Sequence, residues 1–251
     1  MFDLHFHMRP QVAANLAHLD GAGVTKANLL TRGTVLGQVK ALQAAAPNRF
    51  VWFNSVDISM PAAESLLTQA AELKVPMLIH FQEVDHFENE GSWNTGYARR
   101  FEGMLKAYPR TTFIGHADAF WANVSADYHN EAAYPSGPIR RGGITDRLLS
   151  DYPNLFGDLS ANSGNNALSR DATFTADFLK RHQDKLFFGS DCGCSDGHGA
   201  GVSQNNNPAA ARLAGKCVAR ETLTVLKRSA SPAVFRKLTW DNIHRLLRIP
   251  A

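Results

Sequence analysis

FDLHFH, residues 2–7, alternates apolar and polar side chains as a β-strand does, and places His5 and His7 two positions apart, on one face. The same grammar returns in PMLIH (76–80), TTFIGH (111–116) and KLFFGSD (185–191), each an apolar run that ends on a polar residue. A buried imidazole needs partners for its nitrogens, and a carboxylate ending a buried strand is costly unless it meets a cation or donors. His5, His7, His80, His116 and Asp191 therefore read as the contributions of separate strands to one metal site.

The segments between these strands are helix-compatible. Gln11 to Asp20 is closed by Gly21 and Gly23, and VTKANLL (24–30) and RFVWFNSVD (49–57) read as further strands. Ser59 and Pro61 signal the start of a helix over AAESLLTQAAELK. In ARRFEGMLKAY, Phe101, Met104, Leu105 and Tyr108 recur at i, i+3, i+4 and i+7, one apolar stripe. TTFIGH leads through a long loop to ITDRLLSDY; NLFGDLSA (154–161) leads to a helix with Phe174 and Phe178 on one face. Two closing helices follow, the last starting at Ser231-Pro232. This is βα repeated about seven times, which predicts a parallel sheet with helical crossovers. Polar residues end strands along the whole chain, and only closure into a (β/α) barrel brings them to one point. An open doubly wound sheet would want a Gly-rich turn after its first strand, and HFHMRP is no such turn.

With 251 residues, 44% of them hydrophobic, the chain fits one barrel domain over 1–251. Its net charge of +3 is small, and the pairs at 99–100 and 140–141 are isolated, so nucleic acid is not an expected partner. No apolar run reaches the roughly 20 residues of a membrane span. Three cysteines make no disulfide framework and read as free thiols. Residues from Phe2 onward carry no secretory signal, so a cytoplasmic location is expected, an upstream leader being left open.

DLHFH, PMLIH, FIGHAD, NLFGDLSA and LFFGSD, in that order over nearly the whole chain, resemble the amidohydrolase superfamily in its amidohydrolase-2 branch. The resemblance implies a distorted TIM-like barrel with one or two divalent ions, usually zinc. It makes His5, His7, His80 and Asp191 metal ligands, Asp191 also a proton acceptor, and His116 the histidine that polarises the substrate or passes a proton. Manganese and iron also suit such ligands. The family's bridging lysine or glutamate comes from a strand for which 57–76 has little room, because Glu72 and Lys74 fall in a helix or its exit. One metal at this site and a barrel lacking one strand are therefore expected.

The function expected is hydrolysis of a small ester, lactone or amide by a zinc-activated water. The alternative is decarboxylation of a (hydroxy)aromatic acid, and a third reading is a ligand-binding barrel without turnover. A homodimer is a reasonable assembly for such a family. Arg9, just past HFH, is a candidate anchor for a substrate carboxylate. Trp93 and Trp121 lie on long loops after site-bearing strands and are candidate pocket walls, with Phe120 and Tyr128 beside them in the second loop. Glu83, Asp85 and His86 read as a charged loop. Cys192, Cys194 and His198 cluster after Asp191, but C-x-C-x3-H lacks the usual spacing of a zinc site, so no second metal is expected there.

Overall fold

The computed structural model describes residues 1–31, 36–54, 63–83, 96–201 and 212–249. β1 (Phe2–Phe6), β2 (Lys26–Thr31) and β3 (Phe50–Asn54) pair in parallel, in that order. β4 (Met77–His80), β5 (Phe113–His116), β6 (Leu155–Asp158) and β7 (Leu186–Phe187) form a second parallel sheet. Two backbone bonds join the sheets: Leu4 N–H donates to the Phe188 carbonyl at 3.0 Å, and Asp191 N–H to that of His5 at 2.7 Å. The strands therefore succeed one another as β4-β5-β6-β7-β1-β2-β3, and among the described residues no pairing joins β3 to β4.

Helices fill the crossovers, as the alternation predicts: α1 (Val12–Ala22), α2 (Leu36–Ala45), α3 (Ala63–Leu73), α4 (Tyr97–Ala107) and α6 (Ile144–Asp151). The signal at Ser59 and Pro61 lies outside the described residues. In α4 the stripe is real, with Tyr97, Phe101 and Leu105 buried and Met104 packed against the same core. The stretch after β5 is not loop from its start. α5 (Asp118–Ala122) follows at once and is wholly buried. Gly115 makes room for it, since a Cβ there would stand 2.1 Å from the Phe120 ring. Two helices, not one, follow β6. α7 (Ala161–Arg170) precedes α8 (Ala172–Arg181), whose cap Asp171 accepts from Phe174 N–H at 2.9 Å.

α9 (Val218–Ser229) leads to α10 (Pro232–Arg236), where Pro232 opens the helix and Ser231 Oγ accepts from Val234 N–H at 3.3 Å. A π-helical turn (Lys237–Asp241) carries it into α11 (Asn242–Leu247). This segment explains why β7 is shorter than its apolar run. Phe188 N–H donates to the Leu238 carbonyl at 2.8 Å, and the Asn242 amide caps the Leu186 carbonyl at 2.9 Å. No helix among the described residues is long and apolar enough to cross a membrane.

Side chains two apart on a strand share a face. Leu78, Ile114 and Phe156 therefore lie on the faces of His80, His116 and Asp158, one layer below them. They join an apolar cluster with Phe2, Leu4, Phe187 and Ile243. That cluster is the dry floor on which the polar strand ends rest.

Asp3 ties β1 to the exit of β7. It is fully buried, and its Oδ1 accepts from His5 N–H at 3.0 Å and Ser190 N–H at 2.8 Å. Burial pushes its carboxyl up to about 7, against those bonds. Between the ordinary carboxylate range and about pH 7 the folded chain holds a proton that the unfolded chain has released. The Asp3 contribution to stability therefore falls as pH rises through that window, by up to about 4 kcal/mol. Asp3→Asn keeps the accepting oxygen and removes the titration. Denaturant unfolding at pH 5 and pH 8 should show the wild type losing more stability than Asp3→Asn over that interval, and parallel losses would refute the assignment.

Candidate metal centre

The site is built around Asp158, the fully buried last residue of β6. Its Oδ2 accepts from His5 Nδ1 at 2.7 Å, from His116 Nδ1 at 3.1 Å and from Ser160 Oγ at 2.6 Å. Its Oδ1 accepts from Ser160 N–H at 3.2 Å, and its carbonyl takes the Trp121 indole N–H at 2.8 Å. Burial alone would raise this carboxyl, but His5 and His116 overcome it and hold it well below the usual carboxylate range.

With both Nδ1 atoms facing Asp158, both imidazoles present Nε2 on the other side. His5 Nε2 lies 3.1 Å from His7 Nε2 and 3.7 Å from Asp191 Oδ1; His7 Nε2 lies 3.4 Å from the same oxygen. His116 Nε2 stands 3.5 Å from Asp191 Oδ2. One carboxylate thus spans three imidazoles, with Oδ1 toward His5 and His7 and Oδ2 toward His116. Burial would lower the His116 pKa, but Asp158 and Asp191 raise it to about 9. His7 is the open side, its side chain 58% exposed, and Asp191 is 27% exposed.

These donors fit a metal. An ion about 2.0–2.2 Å from each of three tetrahedrally placed N or O atoms sets them about 3.3–3.6 Å apart, close to the 3.1, 3.4 and 3.7 Å found among His5, His7 and Asp191. Asp158 fits the outer role, a carboxylate that fixes the tautomer and orientation of a ligating histidine.

The backbone bends sharply where the strands deliver these groups. Ala117 (φ 78°), Ala161 (φ 63°) and Asp191 (φ 43°) occupy the left-handed half of φ space directly after His116, after Ser160 and at the ligand itself. Gly189 lies beneath the site. A Cβ there would approach Asp158 Oδ1 to 2.4 Å and the Cβ atoms of His5 and Ser160 to 2.9 Å.

Of the residues expected from sequence, His5, His7, His116 and Asp191 come together here. His80 stands beside them, its ring centroid 5.2 Å from that of His116 and its Nε2 3.1 Å from Gln82 Oε1. It belongs to neither group of ligand atoms that lie within 4.8 Å of one another, His5–His7–Asp191 or His5–His116–Asp158. Burial lowers its pKa to about 4, helped by the neighbouring His116 charge, so the imidazole is neutral, the form that binds metal.

Arg9, the expected substrate anchor, has its guanidinium engaged by backbone in this arrangement. It is buried, its guanidinium donates to the carbonyls of His7, Cys192 and Cys194, and it lies 4.5 Å over the Phe6 ring. Trp121 is core, 1% exposed and edge-on to Phe120 and Phe178, and it reaches the site only through the Asp158 carbonyl. Glu83 caps α4 by accepting from Gly96 and Tyr97 N–H. Trp93, Asp85 and His86 lie outside the described residues. A cleft of about 310 Å³ that includes Lys74, Arg110, Arg245 and Arg248 lies at the other ends of the strands and holds none of these ligands.

Asp158 and Ser160 are not among the residues expected from sequence, although LFGD ends an apolar run as LFFGSD does. Among known proteins, no family model, no curated protein and no solved structure matches this chain. Geometry and chemistry therefore carry the functional argument.

Asp158→Asn removes the carboxylate that receives both Nδ1 protons, and metal affinity should fall about 10–100-fold in competition with a chelator. Unchanged affinity would show that Asp158 does not set the imidazoles. Gly189→Ala should weaken binding in the same assay and lower stability by about 1–3 kcal/mol, because the methyl enters a filled space.

Proposed function

We propose that the chain is a metal-dependent hydrolase of a small ester, lactone or amide, built on a TIM-like α/β barrel one strand short of eight. What supports this most is a single carboxylate, Asp191, that faces two imidazole nitrogens through one oxygen and the charged His116 through the other.

In this reading His5 Nε2, His7 Nε2 and Asp191 Oδ1 would hold one divalent ion, zinc being the best match, with His80 the nearby imidazole that could add a further donor. Such an ion polarises a carbonyl oxygen and makes water acidic enough to lose a proton near neutral pH. Asp191 Oδ2 would accept that proton, while the charged His116, its Nε2 3.5 Å away, would give its Nε2 proton to the leaving group and be reprotonated from Asp191. Asp158 never titrates in the cycle. It keeps the His116 Nδ1 proton in place, so that Nε2 is the nitrogen that exchanges, and Ser160 braces the same carboxylate. The exposed edge of His7 is where substrate enters.

Decarboxylation of an aromatic acid would use the same ligands, the metal taking the substrate carboxylate, and a second cation would help to anchor it. Arg9, the residue best suited in sequence, spends its donors on backbone carbonyls, which favours hydrolysis.

Lactones, esters, amides and hydroxybenzoates should be screened on one preparation with its metal content measured. Hydrolysis should appear, vanish on chelation and return with zinc. His116→Ala should lower kcat by about 10²–10⁴ while metal content holds, and His5→Ala/His7→Ala should lose the metal of this site. Carbon dioxide released from a hydroxybenzoate would replace hydrolysis with decarboxylation. Turnover untouched by both His116→Ala and Asp191→Ala would sink the mechanism.

A further inference from the structure

Directly after Asp191 the chain gathers a second, separate set of ligands. Cys192, Cys194 and Cys217 are all buried, as is His18 on α1, and one ligand atom from each lies within 4.8 Å of the others. Cys192 Sγ is 3.8 Å from Cys217 Sγ, and His18 Nδ1 is 3.1 Å from Cys194 Sγ. Tetrahedral zinc with Zn–S near 2.3 Å and Zn–N near 2.0–2.1 Å puts two sulfurs about 3.8 Å apart and a sulfur and a nitrogen about 3.5 Å apart. The sulfur pair sits at that spacing, and the His18–Cys194 pair slightly inside it.

We propose that His18, Cys192, Cys194 and Cys217 form a structural Cys3His zinc site that is independent of the His5–His7–Asp191 centre. The set differs from the C-x-C-x3-H grouping, at which the spacing predicts no second metal. His198 is not a member, its Nδ1 lying 3.2 Å from Arg220 Nη1, and the missing ligands come from α1 and from the cap of α9, about 170 residues upstream and 23 downstream of the C-x-C pair.

Two further observations point the same way. Arg9 is a buried cation that meets no carboxylate in an ion pair among the described residues, yet its guanidinium sits on the carbonyls of Cys192 and Cys194. An uncompensated buried charge is strongly destabilising. Zinc with three thiolates and a neutral histidine carries one negative charge, which Arg9 balances. His18 Nε2 has no hydrogen-bond partner among the described residues, so the sulfur contact is the ring's polar anchor.

The loop is also held tightly onto α1. A Cβ on Gly21 would stand 1.9 Å from the Asp196 carbonyl oxygen, and one on Gly197 2.3 Å from Ala22 N. Asp196 Oδ1 accepts from the N–H groups of His198, Gly199 and Ala200, which folds the loop back on itself. The cysteines thus meet His18 across an interface that admits only glycine.

Binding releases one proton from each of three thiols and changes no oxidation state. Its consequence is mechanical: the ion staples α1, the exit of β7 and the start of α9 around the residue that follows Asp191.

The test is zinc analysis and zinc-edge X-ray absorption on the full chain, purified under reducing conditions with zinc in the medium. His5→Ala/His7→Ala should keep one zinc per chain with about three sulfur neighbours near 2.3 Å. Cys217→Ser, which retains a good capping residue for α9, should lose that sulfur shell and keep the nitrogen- and oxygen-bound zinc. Because either variant can fail to fold, the wild type is measured too, and its zinc should include a sulfur shell that disappears when an organomercurial titrates the thiols. Zinc bound to nitrogen and oxygen alone in the wild type, or three thiols freely reactive in the native protein, would overturn the proposal. So would a Cys192–Cys217 disulfide, seen as a loss of two mass units. None of these outcomes bears on the hydrolase reading, which fails only on turnover and on the His5/His7 metal.

Discussion

The site depends on one buried carboxylate. Asp158 is removed from water completely, which on its own would favour the neutral acid, and it stays ionised because three side-chain donors and a backbone N–H converge on it. That arrangement is expensive to assemble and correspondingly demanding. His5 must come from β1, His116 from β5, and Ser160 from the first residues beyond β6. Removing any one donor leaves charge without compensation in a dry place. The same bonds decide the chemistry, since an imidazole whose Nδ1 proton is committed has only Nε2 left to offer. The Nε2 atoms that His5 and His116 present toward Asp191 are thus two results of a single interaction beneath them.

Below this layer the strands are ordinary. Leu78, Ile114 and Phe156 sit two residues before His80, His116 and Asp158, and they pack with Phe2, Leu4 and Phe187 against the C-terminal helix. The change from apolar floor to polar rim happens within one period of the strand, so the site cannot slide without exposing the core. Left-handed backbone at Ala117, Ala161 and Asp191 marks where each strand turns away. Non-glycine residues hold such angles only where surrounding contacts outweigh the local cost. Here those contacts include Asp191 N–H on the His5 carbonyl and Ala161 N–H on the Ser190 carbonyl, both across the β7 exit.

Much of this was legible in the sequence because strand ends have a simple signature. An apolar run that stops on His or Asp identified β1, β4, β5 and β7 and four of the residues at the centre. LFGD carries the same signature, and nothing local distinguishes Asp158 as the carboxylate on which two imidazoles from other strands converge. Arg9 and Trp121 show a different limit. Both follow site residues closely in sequence, and nothing local says whether a side chain turns into the pocket or into the packing behind it. The Arg9 guanidinium met three carbonyls from residues up to 185 positions away; Trp121 lay on a buried helix that the sequence suggested was loop. The π-helical turn and the doubled helix after β6 have no such local signature either.

The cysteines carry that limit furthest. Read along the chain, Cys192 and Cys194 have a histidine nearby and no recognisable spacing; read in space, their partners are His18 and Cys217. Spacing rules describe ligands that one loop or hairpin delivers, and they fail where three elements each deliver part of the set. The placement also gives Arg9 a reason to be buried. Its charge answers the thiolates, and its hydrogen bonds fix the carbonyls of Cys192 and Cys194, one of them directly after Asp191. Asp191 is therefore gripped on both sides, by β1 through its own N–H and by the sulfur-rich loop through its successor. A carboxylate that must face His5 and His7 with one oxygen and His116 with the other has little freedom to turn. In this chain that rigidity comes from the backbone on either side of the ligand.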